Sequence, residues 1–202
     1  MDGDGDGRRD VVDNPTDLIA STANNLKKDG WQTGQAWGYE VVVPQGFNYM
    51  LADPARRLTL AEWARHGVQR ASGEGFPRPD ARAYLFVPAG SRGPAFLMLD
   101  NFRAIMKYNP AEAYALAIGH FADRLRGGAP IAQNWPREER VLSRAERLEF
   151  QQHLNRLGFD VGEPNGRFGN KTRTAVRDFQ ARSGLVPDGF ATVAILERLR
   201  TK

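Results

Sequence analysis

At 202 residues, with 41% apolar and 26% charged side chains, the chain is long enough for one or two globular domains of ordinary soluble composition. No apolar run approaches the length of a membrane span, the start Met1-Asp2-Gly3-Asp4 lacks the basic and apolar regions of an export signal, and the lack of cysteine excludes disulfides and thiolate metal sites. The net charge of +4 resides wholly in residues 137–202, where 13 basic residues meet 9 acidic ones, but no aromatic-interleaved basic stripe accompanies it, so nucleic acid is not an expected partner.

In chain order, the first feature is "DGDGDGRRDVVD". Counting Asp2 as position 1 puts carboxylates at 1, 3, 5, 9 and 12, a glycine, Gly7, at 6 and the Arg8 carbonyl at 7, the ligand layout of an EF-hand loop. Asp2, Asp4, Asp6, Arg8, Asp10 and Asp13 are therefore the candidate metal ligands, with calcium as the matching hard cation; the other reading is a frayed acidic tail. Arg9 stands where an apolar residue is usual, and Asp13 replaces the longer bidentate Glu.

The run from Asn14 to Trp31 predicts a helix capped by Asn14, with Pro15 in its first turn, Ile19, Ala23 and Leu26 on one inward face, and Gly30 as its stop. "GYEVVVP" predicts a strand, and Thr59 with Glu62 a capping box opening a short helix. "AYLFVPAG" and "GPAFLMLD" predict two strands of a small hairpin. Two helices then meet at Asn109-Pro110, the second ending at Gly127-Gly128.

Residues 129–141 read as a linker, without periodicity. Beyond it, Ser143 and Glu146 form a second capping box for a helix facing inward through Leu148, Leu154 and Leu157. Two more helices carry Val176 and Phe179, then Leu196 and Leu199.

This last segment, residues 142–200, resembles the peptidoglycan-binding three-helix module through Leu154, Leu157, Gly158, Phe159, Gly162, Asn165, Gly166, Phe168, Gly169, Thr172, Ala175, Val176, Phe179, Gln180, Gly184, Leu185, Asp188 and Gly189. The resemblance implies wall binding. Asn165, where the module usually has Asp, suits a left-handed turn, and Asn165, Arg167, Asn170 and Arg173 are the candidate recognition groups.

Residues 1–128 resemble the C-terminal half of the catalytic domain of the membrane-bound lytic murein transglycosylase B family. The match lies in "DGDGDGRRDVVDNP", "IASTANNLKKDGW", "GYEVVVP" and "LDNFRAIMKYNPAEAYALAIGHFADRL". It implies an α+β, mostly helical fold: a partial lysozyme-like transglycosylase domain with a small β-sheet, followed by the three-helix domain. It also implies a calcium-type loop at residues 2–13 and a glycan cleft lined by Tyr108, Asn109 and Tyr114. From the residues alone, Asn109 also reads as an N-cap paired with Glu112, and Tyr114 as helix core.

In this family one glutamate protonates the glycosidic oxygen and then takes the proton of the muramyl 6-hydroxyl, giving a 1,6-anhydro product. That glutamate and its flanking stretches are expected upstream of the calcium-type loop, so no catalytic residue is assigned here. The chain reads as an N-terminally truncated family member, inactive alone; the alternative is a noncatalytic peptidoglycan-binding protein. Peptidoglycan is the expected partner, the periplasm or cell envelope the expected location, a monomer the expected state, and no organic cofactor is expected.

Overall fold

The structure, a computed structural model, describes residues 1–202. The chain forms two compact units, Met1–Gly38 with Met98–Pro130, and Tyr39–Leu97 with Ile131–Lys202.

The first unit is helical: α1 (Pro15–Lys28), α3 (Asp100–Tyr108) and α4 (Glu112–Leu125). Asn14 caps α1 by accepting from the Thr16 and Asp17 backbone N–H groups, as its position before Pro15 predicts. The expected inward face is corrected: Ile19 is 68% exposed, whereas Asp17 is fully buried. The reason is the acidic loop, which folds against α1 and draws the Asp17 carboxylate inward to meet its backbone N–H groups. On α3, Phe102, Ala104 and Ile105 are buried, and Asn101 is 1% exposed. Asn101 accepts from Gln32 N–H at 2.7 Å and donates to the Gln32 and Gln35 carbonyls, so one buried carboxamide satisfies the turn that follows α1.

Trp37 fills the space under α4. Its indole Nε1 donates to Asp123 at 2.6 Å, and its ring lies 6.2 Å from that of Phe102. Gly119 permits this approach, since a Cβ there would sit 2.7 Å from the Trp37 ring.

The second unit begins with a five-stranded sheet of order β2-β4-β5-β1-β3, formed by β1 (Gly38–Val42), β2 (Leu58–Thr59), β3 (Gln69–Arg70), β4 (Arg82–Phe86) and β5 (Ala95–Met98). β1 runs antiparallel to β3, with Val41 opposite Arg70, and β2 antiparallel to β4, with Leu58 opposite Ala83. The two expected strands of the hairpin are neighbours; β2 and β3, two residues each, are too short to show a period. The helix α2 (Leu60–Arg65) starts at the predicted capping box, with Thr59 and Glu62 bonded reciprocally, and buries Trp63 against β4 through an Nε1 bond to the Ala83 carbonyl.

The helices α5 (Arg144–Arg156), α6 (Asn170–Arg182) and α7 (Val193–Arg200) complete this unit around Phe150, Leu154, Phe159, Val176, Phe179, Leu196 and Leu199. The Ser143–Glu146 capping box forms as predicted. Leu148 is not part of the core; Phe150, two residues on, takes that role. α7 is clamped to α5 by Arg200, whose Nε and Nη2 each bond the Glu149 carboxylate at 2.7 Å. The positive φ expected of Asn165 in the turn before α6 belongs instead to Gly166 at +72°, and Asn165 keeps a negative φ. Gln151 builds that turn, accepting from the N–H groups of Asn165 and Gly166 and donating to the Arg167 carbonyl and Thr172 hydroxyl.

Candidate functional site

The corner between α3 and α4 brings Tyr108, Asn109 and Tyr114 together. Lys107 Nζ holds the end of α3 by donating to the Asp29 carbonyl at 2.8 Å. Pro110 forces the preceding residue out of helical space, and Asn109 accordingly sits at φ −141°, ψ 115°. Its Oδ1 accepts from Ala111 N–H at 3.0 Å. The N-cap of α4 is Ala111 without a side-chain bond, so the capping role of Asn109 opposite Glu112 does not form.

Tyr108, 67% exposed, and half-buried Tyr114 place their ring centroids 6.2 Å apart with planes tilted by 30°. Two phenols and the neighbouring carboxamide of Asn109 offer apolar ring faces, hydroxyls and a polar amide. That set can grip a sugar ring and its N-acetyl group.

Of the glutamates that could be weighed as a substitute acid, Glu112, nearest in sequence to Tyr108, lies in the first turn of α4, and Glu62 and Glu40 are committed elsewhere. Glu62 is held below the usual carboxylate range by the Thr59 backbone N–H and then its hydroxyl. The Glu40 carboxylate accepts from the N–H groups of Ala132 and Gln133 at 2.9 Å each. A general acid needs the opposite of the Glu62 setting, a carboxyl raised by an apolar surrounding.

In the acidic loop, Asp2, Asp4 and Asp6 offer carboxylate oxygens lying within 4.8 Å of one another; Asp10 and Asp13 are not in that cluster. Asp2 accepts from Gly5 and Gly7 N–H, Asp4 from Asp6 N–H and the Asn14 amide, and Asp6 from Arg8 N–H. Asp10 accepts from Val12 and Asp13 N–H. The loop is closed by Asp17, whose Oδ1 and Oδ2 accept from Gly3 and Asp10 N–H at 2.6 and 2.7 Å. Those bonds, Gly3 foremost, hold its pKa below the usual value. Asp17 lies outside the twelve-residue spacing; only its capping position, three residues after Asn14, hinted at a role. These three clustered carboxylates on a backbone-braced loop offer part of the roughly six to eight hard oxygens that calcium takes.

On the three-helix module, Asn165, Arg167 and Asn170 are exposed, while Arg173 is half-buried with its guanidinium 5.7 Å from the Phe86 ring centroid. Arg173 is therefore part of the packing within the second unit rather than a free surface group. No helix is long and apolar enough to cross a membrane.

Comparison with known proteins matches residues 1–123 to the transglycosylase SLT domain and residues 143–199 to the putative peptidoglycan binding domain. Among solved structures, SltB3 from Pseudomonas aeruginosa in complex with NAG-anhNAM-pentapeptide is 49% identical, with a TM-score of 0.94 over 99% of this chain and 54% of that one. The complex of the same protein with NAG-NAM-pentapeptide is 48% identical, with the same TM-score and coverage. The chain thus spans about half the length of SltB3. A more distant structure, Escherichia coli Slt35 in complex with calcium, is 22% identical, with a TM-score of 0.48 over 62% of this chain and 39% of that one. No curated protein sequence matches the chain. By its SLT domain, its peptidoglycan-binding domain and its likeness to SltB3 along nearly its whole length, the chain belongs to the lytic transglycosylase family.

Proposed function

We propose that the chain is a peptidoglycan-engaging part of a lytic murein transglycosylase. In this reading residues 1–128 supply part of the glycan cleft, 129–141 a linker, and 142–200 the wall anchor. The reaction served is the non-hydrolytic cleavage between MurNAc and GlcNAc that yields 1,6-anhydroMurNAc. The observation that carries the reading is the Tyr108–Tyr114 ring pair flanking Asn109 at the α3–α4 corner, a sugar-sized polar and aromatic platform. The match to a peptidoglycan-binding domain supports a location in the cell envelope or periplasm.

The roles of this chain's own residues are to bind and to orient. Tyr108 and Tyr114 present ring faces to the glycan, and the Asn109 amide, its Oδ1 engaged by Ala111, donates through Nδ2. Glu62, whose hydrogen bonds to Thr59 favour the ionised form, does not serve as the general acid, and the Glu40 carboxylate is occupied by the Ala132 and Gln133 N–H groups. Binding without cleavage is the expected behaviour of these 202 residues by themselves.

Calcium would be held by Asp2, Asp4 and Asp6, with the Arg8 carbonyl, Asp10 and Asp13 as the further donors suggested by the spacing. When bound, it supplies charge neutralisation and stiffening of the loop, not chemistry on the glycan. Sedimentation with purified sacculi tests the reading: retention of the chain is expected, and retention no better than that of a charge-matched scrambled sequence contradicts it.

A further inference from the structure

Two helices of the first unit are apolar along a side that the rest of the unit leaves open. On α4, Ala115, Leu116 and Gly119 are buried, the last against the Trp37 ring. Tyr114, Ile118, Phe121 and Leu125 follow one another at i, i+4, i+7 and i+11, which sets them in a single stripe along another face. Tyr114 is half-buried, and beyond it the stripe is open, with Phe121 59% and Leu125 73% exposed. A helix packed on one neighbour needs one apolar face, and α4 carries two.

α1 departs further from the ordinary pattern. Ile19, Ala23 and Leu26 stand at i, i+4 and i+7, the spacing of a face made for burial, yet Ile19 and Ala23 are exposed and Leu26 is half-buried. The covered face is polar instead: Asp17 is fully buried, and Ser21 and Asn24 are half-buried, with the Ser21 hydroxyl accepting from the Met1 amino group. Single exposed apolar residues are ordinary, but an aligned apolar stripe on each of two helices marks an interface.

The likeness to SltB3 indicates the chemistry of the occupant. The chain matches SltB3 with a TM-score of 0.94 over 99% of its own length but only 54% of that protein, so a little under half of SltB3 is polypeptide additional to the fold described above. A lipid surface fits less well, because the acidic loop lies against α1 and its aspartates repel anionic headgroups. We infer that the α1 and α4 stripes seat a complementary polypeptide, equivalent to the part of SltB3 outside the match, which buries Ile19, Ala23, Ile118, Phe121 and Leu125. The inference rests on the reading of the chain as part of a lytic transglycosylase. Tyr114 heads the α4 stripe with its ring 6.2 Å from that of Tyr108, so a polypeptide seated there borders the glycan platform.

The chain has no cysteine, so a single introduced thiol reports the cover over its own site. The probe partner is the part of SltB3 outside the match, co-expressed with the whole 202-residue chain and carrying the affinity tag. Co-purification is expected. Maleimide labelling of Ile19→Cys and Phe121→Cys is expected to slow about tenfold or more in the pair relative to the chain alone, while Val186→Cys, exposed in the second unit, is labelled alike in both. The two sites lie on different helices, and melting curves matching that of the natural chain establish that each variant is folded. Absence of co-purification, or thiols at 19 and 121 that react as fast in the pair as in the free chain, overturns the inference. Protection of both thiols in the chain alone at high concentration assigns the stripes to a second copy and overturns it, as does protection by phosphatidylglycerol vesicles, which assigns them to lipid. Sacculus retention is measured in parallel: a chain retained but not captured by the partner loses this inference and keeps the wall-binding reading, and a chain captured but not retained does the reverse.

Discussion

Arg177 on α6 donates from Nη1 to the carbonyl of Ala52 at 2.8 Å, joining residues 125 positions apart. The guanidinium is 3% exposed and also bonds the Thr174 hydroxyl. Burial lowers its pKa from the ordinary arginine value, but at neutral pH it stays charged, and the carbonyl and hydroxyl answer part of the lost hydration. The three-helix module is thereby packed against the loop after β1 within one unit, with Asp188 accepting from Ser91 N–H and hydroxyl beside it.

Replacing Arg177 by Met keeps most of the side-chain volume and removes the charged donor, leaving the Ala52 carbonyl without its guanidinium. Chemical denaturation is expected to show a loss of roughly 1.5–3 kcal/mol, the range for a hydrogen bond to a charged group. An unchanged midpoint would mean that water serves that carbonyl as well as arginine does.

Gly119→Ala tests the packing of α4 on Trp37. The added methyl would lie 2.7 Å from the Trp37 ring, which is itself held by its bond to Asp123. Overpacking costs about 1–3 kcal/mol, against which alanine regains about 1 kcal/mol of helix propensity. A net loss of up to about 2 kcal/mol is expected by urea unfolding; a gain would show that Trp37 moves freely.

Asp17 makes the acidic loop sensitive to pH. Its folded pKa is below the unfolded value of 3.8, so its contribution is complete above that pH and disappears as pH falls through the folded value. The stability advantage of the natural chain over Asp17→Asn is therefore expected to shrink as pH is lowered from 5 toward 2. A constant difference over that window would assign the effect of the substitution to packing alone.

The helices were legible because their signals are local. Asn14 before Pro15, the Thr59–Glu62 box and the Ser143–Glu146 box each mark a start through bonds spanning three residues, and all three are formed. What was not legible depends on distant partners. Asp17 looks like an ordinary first-turn acid until the loop supplies Gly3 and Asp10, and Gln151 looks like a surface residue until the turn at Asn165 and Gly166 folds over it. Tyr108, Asn109 and Tyr114 could be named from the family resemblance; their ring spacing and the failure of Asn109 to cap α4 could not, because Pro110 sets the backbone before capping can.

Calcium at millimolar concentration is expected to raise the melting temperature of the chain, since a ligand that binds only the folded state stabilises it in proportion to RT ln(1 + [L]/Kd). Asp6→Ala removes one of the three clustered carboxylates and should abolish the shift. An equal shift in both proteins would identify a general salt effect.

The most direct measurement is the retention of the chain on purified murein sacculi at increasing salt, comparing the natural protein with Tyr108→Ala/Tyr114→Ala. Tyr108 is exposed but Tyr114 is half-buried, so thermal melts establish that the double variant is folded before retention is compared. The account predicts retention that persists at 0.5 M salt, roughly three Debye-halving steps beyond dilute buffer, and a severalfold lower affinity in the double variant, with negligible anhydromuropeptide release by either. Elution of the natural protein at moderate salt, or identical affinities for the two proteins, would contradict it.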